Sequence, residues 1–184
     1  MKWIATTIAD LWILKPNVIH DERGCFFESY NNKIFLEKKL SYDFVQDNHS
    51  TSRYGVLRGL HLQKNPHAQT KLERVVKGTV LDVAVDLRKS SATYLNYFSI
   101  VLSEDNKLQL LIPRGFAHGF VVLSEEAEFL YKCDNYYNKE SEDGIAYNDP
   151  TLNIDWMIPH QDIILSNKDT QYKPLEQLLT ELDF

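Results

Sequence analysis

Residues 56–63 read Val-Leu-Arg-Gly-Leu-His-Leu-Gln, and this alternation of side-chain types is typical of a half-buried β-strand. Strict alternation predicts one face with Leu57, Gly59, His61 and Gln63, and another with Val56, Arg58, Leu60 and Leu62. A histidine on such a strand is partly desolvated, which lowers its pKa and favours the neutral, proton-accepting imidazole near pH 7. His61 is therefore a candidate general base, although a lone histidine on a strand is more often a core or rim residue.

Short strands continue on both sides of this stretch. We predict strands near 44–49, 55–63, 69–77, 79–87, 95–103, 107–112, 117–123 and 127–137. The helices predicted beside them are one over 33–40, capped by Asn31 or Asn32, and a short amphipathic one over 174–182. Many short strands with few helices predict an all-β protein, built as an antiparallel sandwich or barrel.

Two of these strands alternate clearly enough to predict which side chains share a face. In residues 80–88, the aliphatic side chains of Leu81, Val83, Val85 and Leu87 lie on one face, and Asp82, Asp86 and Arg88 lie on the other. In residues 127–134, Phe129, Tyr131 and Cys133 share a face. That placement is compatible with a tyrosine inside a barrel.

Composition bounds the class of protein. The 184 residues are enough for one well-buried domain, and 43% apolar with 25% charged residues is ordinary for a globular chain. The net charge of −6 argues against a nucleic-acid-binding surface. Cys25 and Cys133 lack the spacing of a zinc site, and no apolar run resembles a secretion signal or a membrane span. We expect a cytoplasmic, single-domain protein over 1–184, with an N-terminal arm over about 1–16 and a C-terminal helical segment over about 172–184.

Residues 113–118 read Pro-Arg-Gly-Phe-Ala-His, a spacing that resembles the second motif of the cupin superfamily, whose fold is a small jelly-roll barrel. The first cupin motif normally supplies two histidines and a glutamate as metal ligands. The matching positions here resemble His61, Gln63 and Lys71. A glutamine and a lysine remove two ligands and add a positive charge, so we expect no bound metal.

A more specific resemblance covers residues 10–170. It rests on an ordered set of motifs, at 21–28, 46–50, 57–61, 69–72, 82–88, 113–120, 131–133, 144–150 and 166–169. These motifs resemble those of the dTDP-4-dehydrorhamnose 3,5-epimerase family within the cupin superfamily. The resemblance implies a cupin jelly roll of antiparallel strands with a few short peripheral helices. It also implies an isomerase of nucleotide-sugar biosynthesis that needs no cofactor.

The reaction implied by the resemblance suits these residues. In a 4-keto-6-deoxyhexose the protons on C3 and C5 are both acidified by the C4 carbonyl, so epimerisation needs a base, an enolate stabiliser and an acid. The resemblance implies that His61 is the base, Lys71 the stabilising cation and Tyr131 the acid. It further implies that Asp169 fixes the tautomer of His61.

The resemblance also implies substrate contacts and an assembly. The implied contacts to the dTDP-linked sugar are Arg23, Glu28, Gln46, Asp47, Asn48, Arg58, Lys71, His118, Glu142 and Lys168. Members of the family are homodimers in which an N-terminal segment reaches the partner's sheet. The irregular apolar arm over 2–14 is consistent with that exchange, although it could equally pack on its own barrel.

Three alternatives remain at this point. The chain could epimerise only C3 or only C5 of another nucleotide-linked sugar, or bind sugar nucleotides without catalysis. It could also be a metal-dependent cupin oxygenase. Having a base, a cation and an acid together argues against a purely binding protein.

Overall fold

The computed structural model describes residues 1–182 and 184, and two antiparallel sheets dominate the fold. The thirteen strands are β1 (Lys2–Ala5), β2 (Trp12–Lys15), β3 (Ile19–Asp21), β4 (Gly24–Phe26), β5 (Gln46–Arg53), β6 (Leu57–Gln63), β7 (Lys71–Lys77), β8 (Thr79–Asp86), β9 (Tyr97–Ser103), β10 (Gln109–Ile112), β11 (Phe116–Val122), β12 (Glu126–Cys133) and β13 (Glu142–Gly144). One sheet has the order β1-β2-β10-β7-β12-β5 and the other β13-β6-β11-β8-β9. The prediction of an all-β, cupin-type jelly roll is confirmed.

The two sheets pack face to face around an apolar interior. Side chains of both sheets meet there, including Val75 and Phe129 from the six-stranded sheet and Ala84 and Phe120 from the five-stranded sheet. Each of these four is 4% exposed or less. Burial of this kind contributes about 25 cal/mol for each Å² of apolar surface removed from water. This packing therefore holds the two sheets, the facing walls of the barrel, in a fixed relative position. The polar side chains described below project from these walls.

The five-stranded sheet is buried on its outer face as well. Leu81, Val83 and Val85 pack there against Trp156 and Leu178 from the C-terminal segment. The alternation predicted for 80–88 is confirmed, because these aliphatic residues share a face. The polar residues of the other face are not solvated, however, since the side chains of Asp82 and Asp86 are fully buried.

An aromatic layer covers the outer face of the six-stranded sheet. Phe35, from helix α1 (Asn32–Glu37), lies at its centre, with the ring of Trp3 4.9 Å away and that of Tyr30 5.1 Å away. Asn31 caps the helix by accepting a hydrogen bond from the amide of Lys33. The predicted helix over 33–40 is shorter than expected because the chain turns out of it through residue 39, whose φ is 61°.

The C-terminal segment runs from β13 along the five-stranded sheet. Two backbone bonds join Ile164 to it, one to Gly55 and one from Leu57. Helix α2 (Leu175–Leu178) is shorter than the helix predicted over 174–182. Two of its residues, Leu175 and Leu178, are buried in the outer-face cluster, so packing holds this segment against the barrel.

Strand β6 departs from the strict alternation predicted for it. Its pairing with β11 joins His61 to His118 and Arg58 to Phe120, so three steps on β6 match two steps on β11. Gly59 lies within this bulge at φ 132°, and a Cβ there would be 2.4 Å from the Cα of Gly119. The bulge brings Arg58 and His61 to the same, interior side. The prediction that they lie on opposite faces is therefore wrong.

The N-terminal arm forms two strands on its own sheet. Strands β1 and β2 pair with each other, and β2 pairs with β10 of the same chain. The arm expected over 2–14 is thus a hairpin. Among the described residues, no helix has the length and apolar character needed to cross a membrane.

Candidate active site

His61 and Asp169 form the most direct polar contact of the site. Nε2 of His61 lies 2.6 Å from Oδ1 of Asp169, which lies in a short 3-10 helix over Asp169–Gln171. The amide of Asp169 donates to Oγ of Ser166, and this bond holds the carboxylate-bearing turn in place. The carboxylate of Asp169 accepts a hydrogen bond from the N–H at Nε2, so Nδ1 of His61 carries no proton and is free to act as the proton acceptor.

The surroundings of His61 favour the neutral imidazole. Burial lowers the pKa of His61, and the hydrogen bond and charge of Asp169 only partly oppose that effect. Lys71 and Lys168 lower it further through their positive charge. For Asp169, burial raises the pKa of the carboxyl, but the hydrogen bond and charge of His61, the bond from Ser166 and the charge of Lys168 together outweigh it, and the pKa is lowered. The result is a neutral base beside an ionised carboxylate at neutral pH.

Lys71 and Tyr131 lie on neighbouring strands of the opposite sheet. Nζ of Lys71 is 5.5 Å from the centroid of the Tyr131 ring. Tyr131 packs against the interior cluster, as its predicted position beside Phe129 and Cys133 requires. Burial, with the nearby Cys133 and Glu73, raises the pKa of the Tyr131 hydroxyl, so the group is fully protonated at neutral pH.

The base and the phenol thus lie on facing walls. His61 is in register with His118, whose ring stacks on Phe129 in the barrel interior. Tyr131 is on the same strand as Phe129, in the other sheet. A ligand between the sheets would meet an imidazole on one side and a phenol on the other. Such an arrangement can remove a proton from one face of a carbon and return one to the opposite face.

Behind these groups lies a buried ion cluster of Glu73, Asp82 and His118. Nε2 of His118 is 2.7 Å from Oε2 of Glu73 and 3.2 Å from Oδ1 of Asp82. The side chain of His118 is 8% exposed, and both carboxylates are fully buried. Burial disfavours the imidazolium, but the charges of Glu73 and Asp82 outweigh it and raise the pKa of His118 to about 9. His118 is therefore protonated at neutral pH.

The buried ion cluster is also where a metal ion would be sought. One ligand atom from each of its three residues lies within 4.8 Å of the other two. An imidazolium has no free lone pair for a metal, and metal binding would have to displace its proton. The protonated His118 compensates one negative charge, and burial, together with Glu73, raises the pKa of Asp82 to about 7, so the donor set suits an ion cluster better than a metal centre.

Several predicted substrate contacts lie at the mouth of the barrel. Glu142 is ion-paired with Lys168 and accepts a hydrogen bond of 2.7 Å from the hydroxyl of Tyr137. Burial raises the pKa of Glu142, but the bonds from Lys168 and Tyr137 outweigh it and lower that pKa. Glu142 therefore remains an anion that can accept hydrogen bonds from a ligand.

Gln46, Asn48 and Arg58 complete this rim. The amide of Gln46 donates to Oδ1 of Asn48 over 3.0 Å, and Nε of Arg58 donates to Oγ of Ser52 over 3.1 Å. Arg58 is exposed, and no carboxylate of the described chain is ion-paired with it. Its guanidinium is available to an anion. A cleft of about 290 Å³ opens beside it, lined by His61, Lys168 and Asp169 among others.

Three other predicted contacts are not at this mouth. Arg23 lies on the β3–β4 hairpin, where it pairs with Asp21 and is 84% exposed. Glu28 accepts a hydrogen bond from Asn31 at the start of α1. Asp47 is on the outward side of β5 and pairs with Lys132. The chain does not bring these three side chains together with His61.

Sequence reasoning missed Glu73 and Asp82. Glu73 is two residues from Lys71 and thus on the same face of β7, and Asp82 shares a face of β8 with buried residues. These spacings can be read from the sequence. Acidic residues on a strand are usually solvated, however, so the pattern alone does not predict that Glu73 and Asp82 are buried. His118 was predicted to contact the substrate. In the structure its Nε2 is directed at these two carboxylates, and its contact with the substrate stays a prediction.

Comparisons with known proteins agree with this geometry. A family model described as dTDP-4-dehydrorhamnose 3,5-epimerase matches residues 5–177. The dTDP-4-dehydrorhamnose 3,5-epimerase of Shigella flexneri is 55% identical over 170 residues, covering 92% of this chain and 93% of that protein.

Solved structures are equally similar. The dTDP-4-dehydrorhamnose 3,5-epimerase of Elizabethkingia anophelis has a TM-score of 0.93 at 56% identity, covering 96% of this chain and 97% of that one. A 3,5-epimerase of Legionella pneumophila, solved in complex with dTDP-4-keto-L-rhamnose, has a TM-score of 0.93 at 48% identity, covering 98% of this chain and 95% of that one.

Proposed function

The chain belongs to the dTDP-4-dehydrorhamnose 3,5-epimerase family, and we propose that His61, Lys71, Tyr131 and Asp169 carry out the reaction of that family. The protein is an isomerase that converts dTDP-4-dehydro-6-deoxy-D-glucose to dTDP-4-dehydro-L-rhamnose. The observation that carries the assignment of roles is the placement of a neutral imidazole and a protonated phenol on facing walls of one interior. Inversion at a carbon requires two such faces.

In the proposed first step, Nδ1 of His61 removes a proton from a carbon next to the C4 carbonyl. The electron pair of the broken C–H bond moves into an enolate. Asp169, bound at Nε2, holds the ring in one orientation and stabilises the imidazolium that forms. Its ionised state supports this role, since a neutral carboxyl would stabilise the cation less.

Lys71 is proposed to stabilise the enolate oxygen. Its ammonium lies over the face of the Tyr131 ring, and its charge acts on His61, so it lies between the two walls. A fixed cation aimed at a developing oxyanion contributes roughly 3–4 kcal/mol to lowering a barrier. The charge is already in place before the reaction, so no reorganisation is needed when the enolate forms.

Tyr131 is proposed to return a proton to the opposite face of the same carbon. Its raised pKa keeps the hydroxyl protonated until the enolate draws the proton away. The carbon then carries the inverted configuration. His61, which is partly exposed at the cleft, releases the abstracted proton to solvent, and the sequence repeats at the second carbon. Because proton removal and return are redox-neutral, we propose that no cofactor is used.

The nucleotide is proposed to bind at the barrel mouth. Arg58 and Lys168 supply positive charge for the diphosphate, and Gln46, Asn48 and Glu142 supply hydrogen-bonding groups. A guanidinium makes two parallel, charge-assisted bonds to a phosphate, which suits the exposed Arg58.

We propose a homodimer because Arg23, Glu28 and Asp47 are implied substrate contacts that lie away from their own site. The β3–β4 hairpin is exposed throughout, with Ile19 57% and Phe26 69% exposed. An exposed apolar hairpin with a cation at its tip suits a role on a second copy of the chain. The site of each protomer would then be completed by its partner.

We also propose one domain over 1–184 and a cytoplasmic location. The N-terminal strands and the C-terminal segment both pack on the two sheets, which supports one folding unit. Cys25 and Cys133 are unpaired, as is usual in a reducing compartment.

The test is NMR of dTDP-4-dehydro-6-deoxy-D-glucose incubated with the protein in D₂O, with a reductase to trap the product. Deuterium at both C3 and C5, lost in His61→Ala, is the expected result. Label at one carbon would indicate a single epimerase. If neither C3 nor C5 takes up deuterium, the proposal is contradicted.

A further inference from the structure

A double epimerisation needs two protons, one for each inverted carbon, and the Tyr131 hydroxyl carries only one. Each inversion consumes one proton from the phenol, which is left as a phenolate. The second inversion needs that phenolate to be reprotonated while the sugar still fills the site. Tyr131 packs beside Phe129 and is partly buried, and a sugar that fills the site would cover the part that is open to water. The proton for the second inversion therefore needs a local source.

The buried ion cluster is placed to be that source. Tyr131 and Glu73 are directly opposite each other in the pairing of β12 with β7. Opposite residues of an antiparallel pair point to the same face and have Cβ atoms about 5 Å apart. On its other side, Oε2 of Glu73 is 2.7 Å from Nε2 of His118. Glu73 is thus a cross-strand neighbour of Tyr131, without a hydrogen bond to its hydroxyl, and is in contact with the imidazolium of His118.

The carboxylate of Glu73 is also unusual in its hydrogen bonding. It is fully buried, and neither of its oxygens has an aligned hydrogen-bond donor in the part of the chain that is described. The contact with His118 is close enough for an ion pair but lacks the angles of a hydrogen bond. A buried carboxylate without donors is costly, and such a group calls for a functional explanation.

We propose that Glu73 relays a proton from His118 to Tyr131 between the two inversions. The N–H bond of His118 breaks as an O–H bond forms on Glu73, and that proton then passes to the phenolate oxygen. His118 becomes neutral, Tyr131 regains its hydroxyl, and Glu73 returns to a carboxylate. Solvent restores the proton of His118 after the product leaves. Asp82 is hydrogen-bonded to the same Nε2 of His118 and acts as a positioning residue, so the ring has to turn from Asp82 towards Glu73 for the transfer.

This inference rests on the proposed function, and the wild-type reaction tests that function separately. In D₂O, the wild type is expected to convert substrate to a doubly deuterated sugar nucleotide. In Glu73→Gln, the second inversion lacks its acid. The ratio of singly to doubly deuterated nucleotide, measured by mass spectrometry at equal conversion, is then expected to rise about tenfold or more.

Glu128→Gln is the control. It removes a carboxylate from strand β12, where Glu128 pairs with His49 at the surface, and leaves the buried ion cluster intact. Its deuterium ratio is expected to match that of the wild type, and Glu73→Asp is expected to restore part of the loss. A Glu73→Gln enzyme that is slower but gives the wild-type ratio would overturn the relay, because a purely structural defect slows both inversions alike.

A second measurement uses the wild type alone, so it does not depend on a variant that folds. Enzyme equilibrated in H₂O is mixed rapidly with substrate in D₂O and quenched within one turnover. A shielded relay is expected to leave protium at both inverted carbons in the first turnover and deuterium in later ones. Protium at one carbon only, or at neither, would show that solvent reloads Tyr131 and would overturn the proposal.

Discussion

Nε2 of His61 and Oδ1 of Asp169 lie 2.6 Å apart although 108 residues separate them in the chain. Strand β6 carries the histidine, and the C-terminal segment brings the carboxylate back to it. The contact joins the earliest motif of the site to the last one.

Removing the charge of Asp169 tests this contact. Asp169→Asn keeps the shape of the side chain but no longer stabilises the imidazolium, and its amide can present a donor to Nε2. We expect kcat to fall about 10²- to 10⁴-fold with little change in fold. Asp162→Asn, at a partly exposed position on the same segment where the carboxylate accepts a hydrogen bond from Tyr54, is the control and should retain the wild-type kcat. Equal rates for both variants would contradict a role for Asp169.

The rate should depend on the protonation of His61. Burial lowers the pKa of His61, so its neutral, reactive form persists at pH values below the ordinary histidine value of about 6.5. The acidic limb of kcat/KM, followed by deuterium uptake from solvent, is expected to have its midpoint below 6.5. A midpoint above 6.5 would mean that the charge of Asp169 outweighs the effect of burial.

Lys71 is expected to matter through its charge. Lys71→Met retains much of the side-chain length but leaves the enolate oxygen without a cation. A fall in kcat of about 10²- to 10³-fold is expected. Lys77→Met is the control, since Lys77 ends the same strand and pairs with Glu126 at the surface. A loss confined to KM would indicate that Lys71 only binds the substrate.

The buried ion cluster should make stability depend on pH. The pKa of His118 is raised to about 9, above its unfolded value, so its stabilising effect is complete below about pH 6.5 and is lost as the pH rises towards 9. Urea unfolding at pH 6.5 and 8.5 should show a loss of about 2 kcal/mol on that account. His118→Gln should flatten this dependence, and His49→Gln, at an exposed pair, should not. A protein that gains stability over the same interval would refute a protonated His118.

The local alternation of side chains predicted the strands, and the resemblance of the motifs predicted the cupin fold and the residues around His61. Alternation of side chains along a strand placed Tyr131 in the interior, and the structure agrees. The bulge at Gly59 could not be predicted in this way, because it arises where two backbones approach closely, and only the partner strand carrying Gly119 reveals it.

Two further features lie outside what one sequence can show. Glu73 and Asp82 come together with His118 across three strands, so their burial depends on the register of those strands. Arg23 was named as a substrate contact from resemblance, and within the described part of its own chain it pairs only with Asp21. Its predicted role depends on a second protomer, about which strand periodicity carries no information.

The return of the C-terminal segment to β6 has a consequence for synthesis on the ribosome. His61 leaves the ribosome well before Asp169, and 108 residues at typical elongation rates take roughly 5 to 20 seconds. During that time β6 lacks the backbone bonds that Ile164 supplies to it. A nascent chain can therefore form much of the barrel while its base remains unoriented. Full activity begins only after Asp169 has left the ribosome and reached His61.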